Sequence, residues 1–488
     1  MAVWDRRDRC DVAVVGGGIA GLVAAALAAR EGASVVLLDP RPLGGRARTT
    51  LRGGFRFNQG PHALYEGGET ARVLRALGVP LAGGPPRSDD TWWWYRGEAH
   101  RFPTGAGSLV TSRVLGARAK VGLAKVLATA RRTDTAALAG RTVGEWVDGL
   151  RLPEEGAALL HTLLRTVTYA NAPGLFAADA AVEQLRGSLA GVRYLDGGWQ
   201  SIVDALAGAA RAAGADVREG TGVAGLARAG GGWSIDLYAT GRSTSAQERA
   251  GVDGAGGVED ATAGRDGAGG VEDGAPVRDG LAVRERAAAG PDPGAGDGAG
   301  GLTAAAVVLA AGSPARCAAL LGDDPGWTAT AGPAVHASCL DLGVAAPARR
   351  SLLFGADEPF YLSTHAPPAD LAPDGLGVVH VAEYLRPGAQ PDAATGRARL
   401  HEHARRAGVQ DEAVVAERYL HRLPVTHGMP LASQGGLHGR PPVAVPGHEG
   451  LFVAGDWVGP RGLLADAATA SATDAARAAV RHASRVRA

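Results

Sequence analysis

Residues 11–39 carry the pattern that most narrows what this chain can fold into. Residues 11–15 (DVAVV) form a short valine-rich apolar run, as expected of a strand buried in a parallel sheet. Gly16, Gly17 and Gly18 follow, then Ile19, Ala20 and Gly21, and an alanine-rich stretch runs on to Arg30. The order is strand, GxGxxG, helix. Gly16 permits the tight turn, Gly18 lets the backbone approach a pyrophosphate, and Gly21 lets the helix pack against the strand. The helix start, with Ile19 and Ala20 in its first turn, offers phosphate free N–H groups and a positive dipole end. A second apolar run, 34–38 (SVVLL), ends at Asp39. That is close to the spacing of about 20 residues expected of the carboxylate that takes hydrogen bonds from an adenosine ribose. NAD and FAD share this half of the ligand, so the unit by itself predicts a dinucleotide without choosing between them.

Segments beyond Asp39 make the choice. Residues 44–49 read GGRART, residues 58–64 read NQGPHAL, and residues 451–472 read LFVAGDWVGPRGLLADAATASA. With these segments the chain resembles the superfamily of flavin amine oxidases, phytoene desaturases and protoporphyrinogen oxidases, most closely its phytoene desaturase-like members, over nearly its whole length. The resemblance implies noncovalent FAD. It places Gly45 and Arg46 by the pyrophosphate, Arg46 neutralising charge, and it runs Gly60, Pro61 and His62 past the isoalloxazine ring. It brings the chain back at Gly197, Gly198 and Trp199, sets Val223 (after Thr221 and Gly222) against adenine, and assigns Gly455, Asp456, Leu463 and Leu464 to the flavin end. The closing segment also makes physical sense. An apolar strand, 451–454, leads through Gly455 to an acceptor, Asp456, suited to ribityl hydroxyls, and a long alanine-rich helix begins near Leu463. Its N-terminus would stabilise negative charge on a reduced flavin.

The expected fold is α/β: an FAD-binding Rossmann-type domain, a parallel sheet plus a β-meander, with a discontinuous α+β substrate domain. The first is assigned to residues 1–68, 196–325 and 441–488, the second to 69–195 and 326–440. In the middle piece, 223–228 and 233–238 read as a hairpin and 303–310 as the next strand. Between them, 240–301 is rich in Gly, Ala, Asp and Arg and repeats DGAGGVED, so it is expected to be a disordered low-complexity insertion with too little apolar surface to offset ordering entropy.

Fifty basic residues balance 50 acidic ones, which gives no overall reason to expect nucleic acid as a partner. Cys10, Cys317 and Cys339 are far apart, so a disulfide framework, a thiolate zinc site and a redox dithiol are not expected. No histidine pattern suggests a metal. The start of the chain has no apolar signal-like core, which fits a cytoplasmic protein. Segment 101–132 holds Arg113, Arg118, Lys120, Lys125, Arg131 and Arg132 without an acidic residue, among valines and leucines at roughly helical spacing. It reads as a solvated cationic face or as a basic amphipathic helix making peripheral contact with the inner face of a membrane. Residues 91–96 (TWWWYR) suit a core strand or a pocket wall.

The resemblance implies desaturation or dehydrogenation of a small apolar substrate, with hydride passing to flavin N5. Its amine oxidase branch is the alternative, giving peroxide from an amine or amino acid. That branch often places a lysine near N5 and an aromatic in the closing motif; here the lysines stand at 120 and 125 and the motif has Leu463, although Trp457 offers a neighbouring aromatic. A third alternative, a flavin-free binding protein like the GDP dissociation inhibitors, would not need all these motifs. His62 is the candidate acid or base, or else a hydrogen-bonded structural histidine. His336, His365, His380, His421 and His427 are expected to be structural or exposed. With one dinucleotide motif, reoxidation is expected to fall to oxygen, a quinone or a redox partner.

Overall fold

In a computed structural model that describes residues 9–240 and 301–487, the first apolar run becomes the strand Arg9–Val15 at the middle of a seven-stranded sheet. Its parallel neighbours are Val35–Asp39, followed by Asp216–Glu219, on one side and Gly301–Leu309 on the other. The far half of Gly301–Leu309 pairs in parallel with Leu451–Val453, and its near half pairs antiparallel with the hairpin Thr221–Ala229 and Gly232–Ala239. The expected segment 240–301 lies, its end residues apart, outside the described residues.

Both faces of this sheet are covered, which is why its strands are apolar throughout rather than alternating. The helices Ile19–Arg30, Gln200–Ala212 and Leu464–Arg487 pack on one face. Trp233, Cys317, Trp327 and Trp457 fill the other. The uncharged stretch at 12–29 thus spends its hydrophobicity on a strand and a helix enclosed on all sides. Among the described residues no helix is long and apolar enough to cross a membrane.

A second seven-stranded sheet runs Val414–Thr426, Val335–Val344, Gly377–Tyr384, Phe360–Ala366, Leu352–Gly355, Thr91–Tyr95, Glu98–Arg101. Strand Thr91–Tyr95 is the tryptophan run, and period-two alternation explains it. Thr91, Trp93 and Tyr95 point into the core, while the half-buried Trp92 and Trp94 lie under guanidinium groups of Arg101, Arg350 and Arg406. Segment 101–132 is not one helix. It breaks into Ala106–Thr111 and Ala117–Thr129, and Leu109, Leu115, Ala119, Leu123 and Val126 are buried against the surrounding helices. Most of the apolar stripe seen in the sequence is therefore core packing, with Val110 and Val121 left exposed.

Candidate functional site

The glycine loop folds as its spacing demands. Gly16 has φ +111°, and a Cβ there would lie 2.3 Å from the Ala310 carbonyl oxygen; at Gly21 a Cβ would lie 1.8 Å from the Gly16 oxygen. These two glycines are filled by the protein itself. Gly18 differs: a Cβ there would meet nothing within 4 Å. It caps Ile19–Arg30 without a side-chain hydrogen bond, and no acidic residue occupies the first turn, so no side chain closes off the start of the helix. Asp39, at the end of its strand, accepts from the N–H groups of Gly17 (2.6 Å) and Arg41 (2.8 Å). A carboxylate has about four acceptor positions, so capacity for two hydroxyls is left.

The GGRART loop lies directly on this turn. Gly44 donates to the Gly17 carbonyl at 2.8 Å, and the nearest neighbour of a Cβ at Gly45 would be Gly18 Cα at 3.8 Å. Arg46 reaches from here to the closing motif, donating to Asp456 (2.6 Å) and to the Val425 carbonyl (2.6 Å). Asp456 is buried, which opposes ionisation, but Arg46 and the adjoining His427 hold its carboxyl well below the usual range. Two residues expected to serve separate parts of a ligand are thus joined to each other, with the Arg46 side chain 33% exposed. Behind them Arg440, which the sequence did not single out, pins the motif through the carbonyls of Asp456, Arg461 and Gly462. Burial lowers its pKa to about 10.

Leu463 is buried and Leu464 opens the final helix at φ +55°. For a bulky residue that conformation costs about 1–2 kcal/mol, a strain that folds tolerate mostly at binding and catalytic positions. Trp457 does not wall this place. It is fully buried on the far side of the Rossmann sheet against Trp327, because successive residues after the strand point to opposite faces. Val223 is likewise buried, in the cluster formed with Val15, Val36 and Leu38.

Three distant motifs meet at one side chain. Asn58 Oδ1 accepts from Thr49 of GGRART at 2.8 Å and from the N–H of Trp199 at 2.9 Å, and a Cβ on Gly198 would overlap both Thr49 and Asn58. The NQGPHAL loop is held here, with Gly60 at φ +74° seated on Cys339 and the Pro61 carbonyl accepting from the Tyr169 hydroxyl at 3.1 Å. Tyr169, Tyr361 and Tyr384 form an edge-and-stack group beside it. His62 Nδ1 lies 3.1 Å from the Gly60 carbonyl, and its ring meets Trp199 edge-on. A carbonyl can only accept, so Nδ1 carries the proton and Nε2 is left as an acceptor. Burial lowers the His62 pKa to about 4, so the ring is neutral at pH 7.

Beneath this loop is a buried polar chain with no signal in the sequence. Arg418 donates to the Asn58 carbonyl and, through Nε and Nη2, to Asp341 Oδ2 at 2.9 and 2.5 Å. Asp341 Oδ1 takes His380 Nδ1 at 2.6 Å. Burial pushes the Asp341 carboxyl up, but His380 and Arg418 outweigh it and hold the group ionised. His365 stacks on Tyr194 and meets His380 edge-on.

His365 and His403 are both buried, and burial holds the first well below its ordinary pKa and the second at about 3. Unfolded, both bind protons below about pH 6.5; folded, they do not. The unfolded state therefore binds more protons as pH falls, and stability is lost from about pH 6.5 downward at up to roughly 1.4 kcal/mol per pH unit per histidine. His62 and His161, whose pKa values burial also lowers, act in the same direction, so urea midpoints should fall from pH 7 to pH 4, and His403→Gln should remove one histidine's share of the slope.

Comparison with known proteins agrees with the fold. Residues 14–77 match the family described as an NAD(P)-binding Rossmann-like domain. An oxidoreductase from Methanosarcina mazei superposes with a TM-score of 0.66 at 16% identity, covering 95% of this chain and 99% of that one. Cyclohexylamine oxidase from Brevibacterium oxydans gives 0.63 at 17% identity over 98% and 100% of the two chains. Putrescine oxidase in a structure with bound putrescine gives 0.63 at 16% identity, over 98% and 99%. No curated protein sequence matches. The chain thus has, end to end, the α/β fold of these oxidases, built on a dinucleotide-binding Rossmann sheet.

Proposed function

We propose that the protein is an oxidoreductase that binds FAD noncovalently and removes a hydride from a C–H bond of a small substrate. The observation that carries this reading is the junction of two helix starts, at Gly18 and at Leu464, through the Arg46–Asp456 pair. One helix start suits a pyrophosphate and the other an electron-rich ring, so the pair fits a flavin dinucleotide better than a nicotinamide alone. The open space over Gly18 and the remaining acceptor capacity of Asp39 fit the adenosine diphosphate half. Gly18, Ile19, Ala20, Gly45 and Arg46 would hold the phosphates on the turn that Gly16 and Gly21 make possible, and Gly455, Asp456, Leu463 and Leu464 the flavin side. Bound FAD would supply the hydride acceptor.

The chain itself orients the substrate, excludes water and holds the second proton. Leu463 and Leu464 belong to the same apolar cluster as Phe102, Leu164 and Phe176, which suits an apolar substrate and favours dehydrogenation or desaturation. His62 Nε2, kept unprotonated at pH 7 in the loop that the resemblance runs past the flavin ring, would accept the proton released as the hydride leaves. The tyrosine group at Tyr169, Tyr361 and Tyr384, with the amine oxidases that share the fold, favours amine oxidation as the second reading. Oxygen, a quinone or a redox partner would then reoxidise the cofactor.

Purified protein should be yellow and should release free FAD on denaturation; a colourless protein that takes up no FAD would refute the proposal. Anaerobic bleaching by apolar substrates supports the first chemistry. Bleaching by amines, with peroxide on aeration, supports the second. In either case His62→Gln should retain FAD while slowing bleaching by about 100-fold, the lower end of the range for a general base.

A further inference from the structure

Beside the helix Glu154–Thr168 lies a cavity of about 130 Å³, open at one side and lined by Val143, Leu164, Phe176, His161, Arg165 and Asn171. Arg165 is its unusual member. Its Nη2 donates to the carbonyl oxygens of Gly355, Ala356 (3.5 Å) and Glu358 (3.4 Å), whereas its Nε is out of solvent contact without a partner. No carboxylate among the described residues lies within ion-pair distance of it. Burial lowers its pKa, and the only opposing influence is the Tyr384 hydroxyl.

A half-buried guanidinium with carbonyl partners but no counter-charge is costly, and an anion brought alongside recovers part of that cost. His161, one helical turn earlier, has its pKa lowered first by burial and then by Arg165, with Asp148 opposing, so it is neutral at pH 7 and able to donate or accept. Asn171, tied through Nδ2 to the Tyr384 carbonyl at 3.1 Å, offers a further polar group. The apolar walls and the volume suit a body of about six carbon atoms. We infer that this cavity binds a small organic carboxylate with an apolar body, its carboxylate on Arg165 and its body among Val143, Leu164 and Phe176. The carboxylate is either one end of the substrate or a separate ligand; Thr168 of the lining is followed by Tyr169, which touches the Pro61 loop.

Calorimetry with phenylacetate and its neutral isostere phenylacetamide tests this on the protein as purified. Phenylacetate should bind at least about tenfold more tightly. Arg165→Gln should remove that preference. A more demanding variant is His161→Glu, which places a carboxylate one turn before Arg165 to occupy the site from within. It should abolish phenylacetate binding while raising Tm by about 2 °C, a combination that misfolding does not produce. Equal affinities for acid and amide, or unchanged phenylacetate binding by His161→Glu, would overturn the inference. A flavin difference spectrum on adding phenylacetate marks the site as the substrate's own, and binding without one marks a separate ligand. Phenylacetate binding by a colourless protein that takes up no FAD would refute the flavoenzyme reading and leave this one standing.

Discussion

Gly18→Val should yield folded protein that no longer retains FAD. The added Cβ enters open space, φ at this residue is −77°, and the cost to the fold is about 1 kcal/mol from a poorer helix cap. The added side chain occupies the place where a pyrophosphate would meet the first N–H groups of the helix. Loss of two charge-assisted hydrogen bonds, each worth about 1.5–3 kcal/mol, lowers FAD affinity by about 100-fold or more. Gly21→Val, three residues on, should do the reverse. Its Cβ would stand 1.8 Å from the Gly16 oxygen, so the helix must leave the strand, at about 3 kcal/mol or more. FAD titration by fluorescence quenching together with a thermal melt separates the two. If Gly18→Val retained FAD at wild-type affinity, the cradle would not be where the cofactor's phosphates sit.

The largest expected loss of stability away from the glycine loop is at Asp341. Asp341→Asn keeps the shape and removes the charge, leaving Arg418 without its counter-charge and one carbonyl oxygen where His380 and Arg418 each had a carboxylate oxygen. Breaking one member of such a buried pair costs about 3–5 kcal/mol, and it should appear as a lower urea midpoint with an unchanged slope. Adding Arg418→Met to Asp341→Asn should recover part of the loss, because the uncompensated charge is then gone. The single variant should also weaken FAD binding, since Arg418 holds the Asn58 carbonyl and Asn58 ties NQGPHAL to Thr49 and Trp199. No change in either quantity would mean that the chain of charges neither supports the loop nor stabilises the fold.

Much of the Rossmann half was legible because its signals are local. The turn at Gly16, the packing at Gly21 and the spacing to Asp39 each involve residues a few positions apart or one strand away. Segment 101–132 shows the opposite case. Charge and helical spacing read alike for a solvated helix and for one packed inward, and only burial of Leu109, Leu123 and Val126 distinguishes them. Trp457 was misplaced for a similar reason: the direction of a side chain leaving a strand depends on where that strand stops.

By itself the sequence determined the glycine turn and the acid after the second strand, because short-range geometry leaves those residue types little freedom, while the motifs that point to FAD were read by resemblance. The tertiary structure alone decided that Arg46 pairs with Asp456, that Asn58 joins three motifs and that Arg418, Asp341 and His380 form one buried chain. The register of the second sheet sets Asp341 opposite both His380 and Arg418. Such a juxtaposition arises from how strands far apart in sequence are aligned side by side, and no local pattern of residues encodes it.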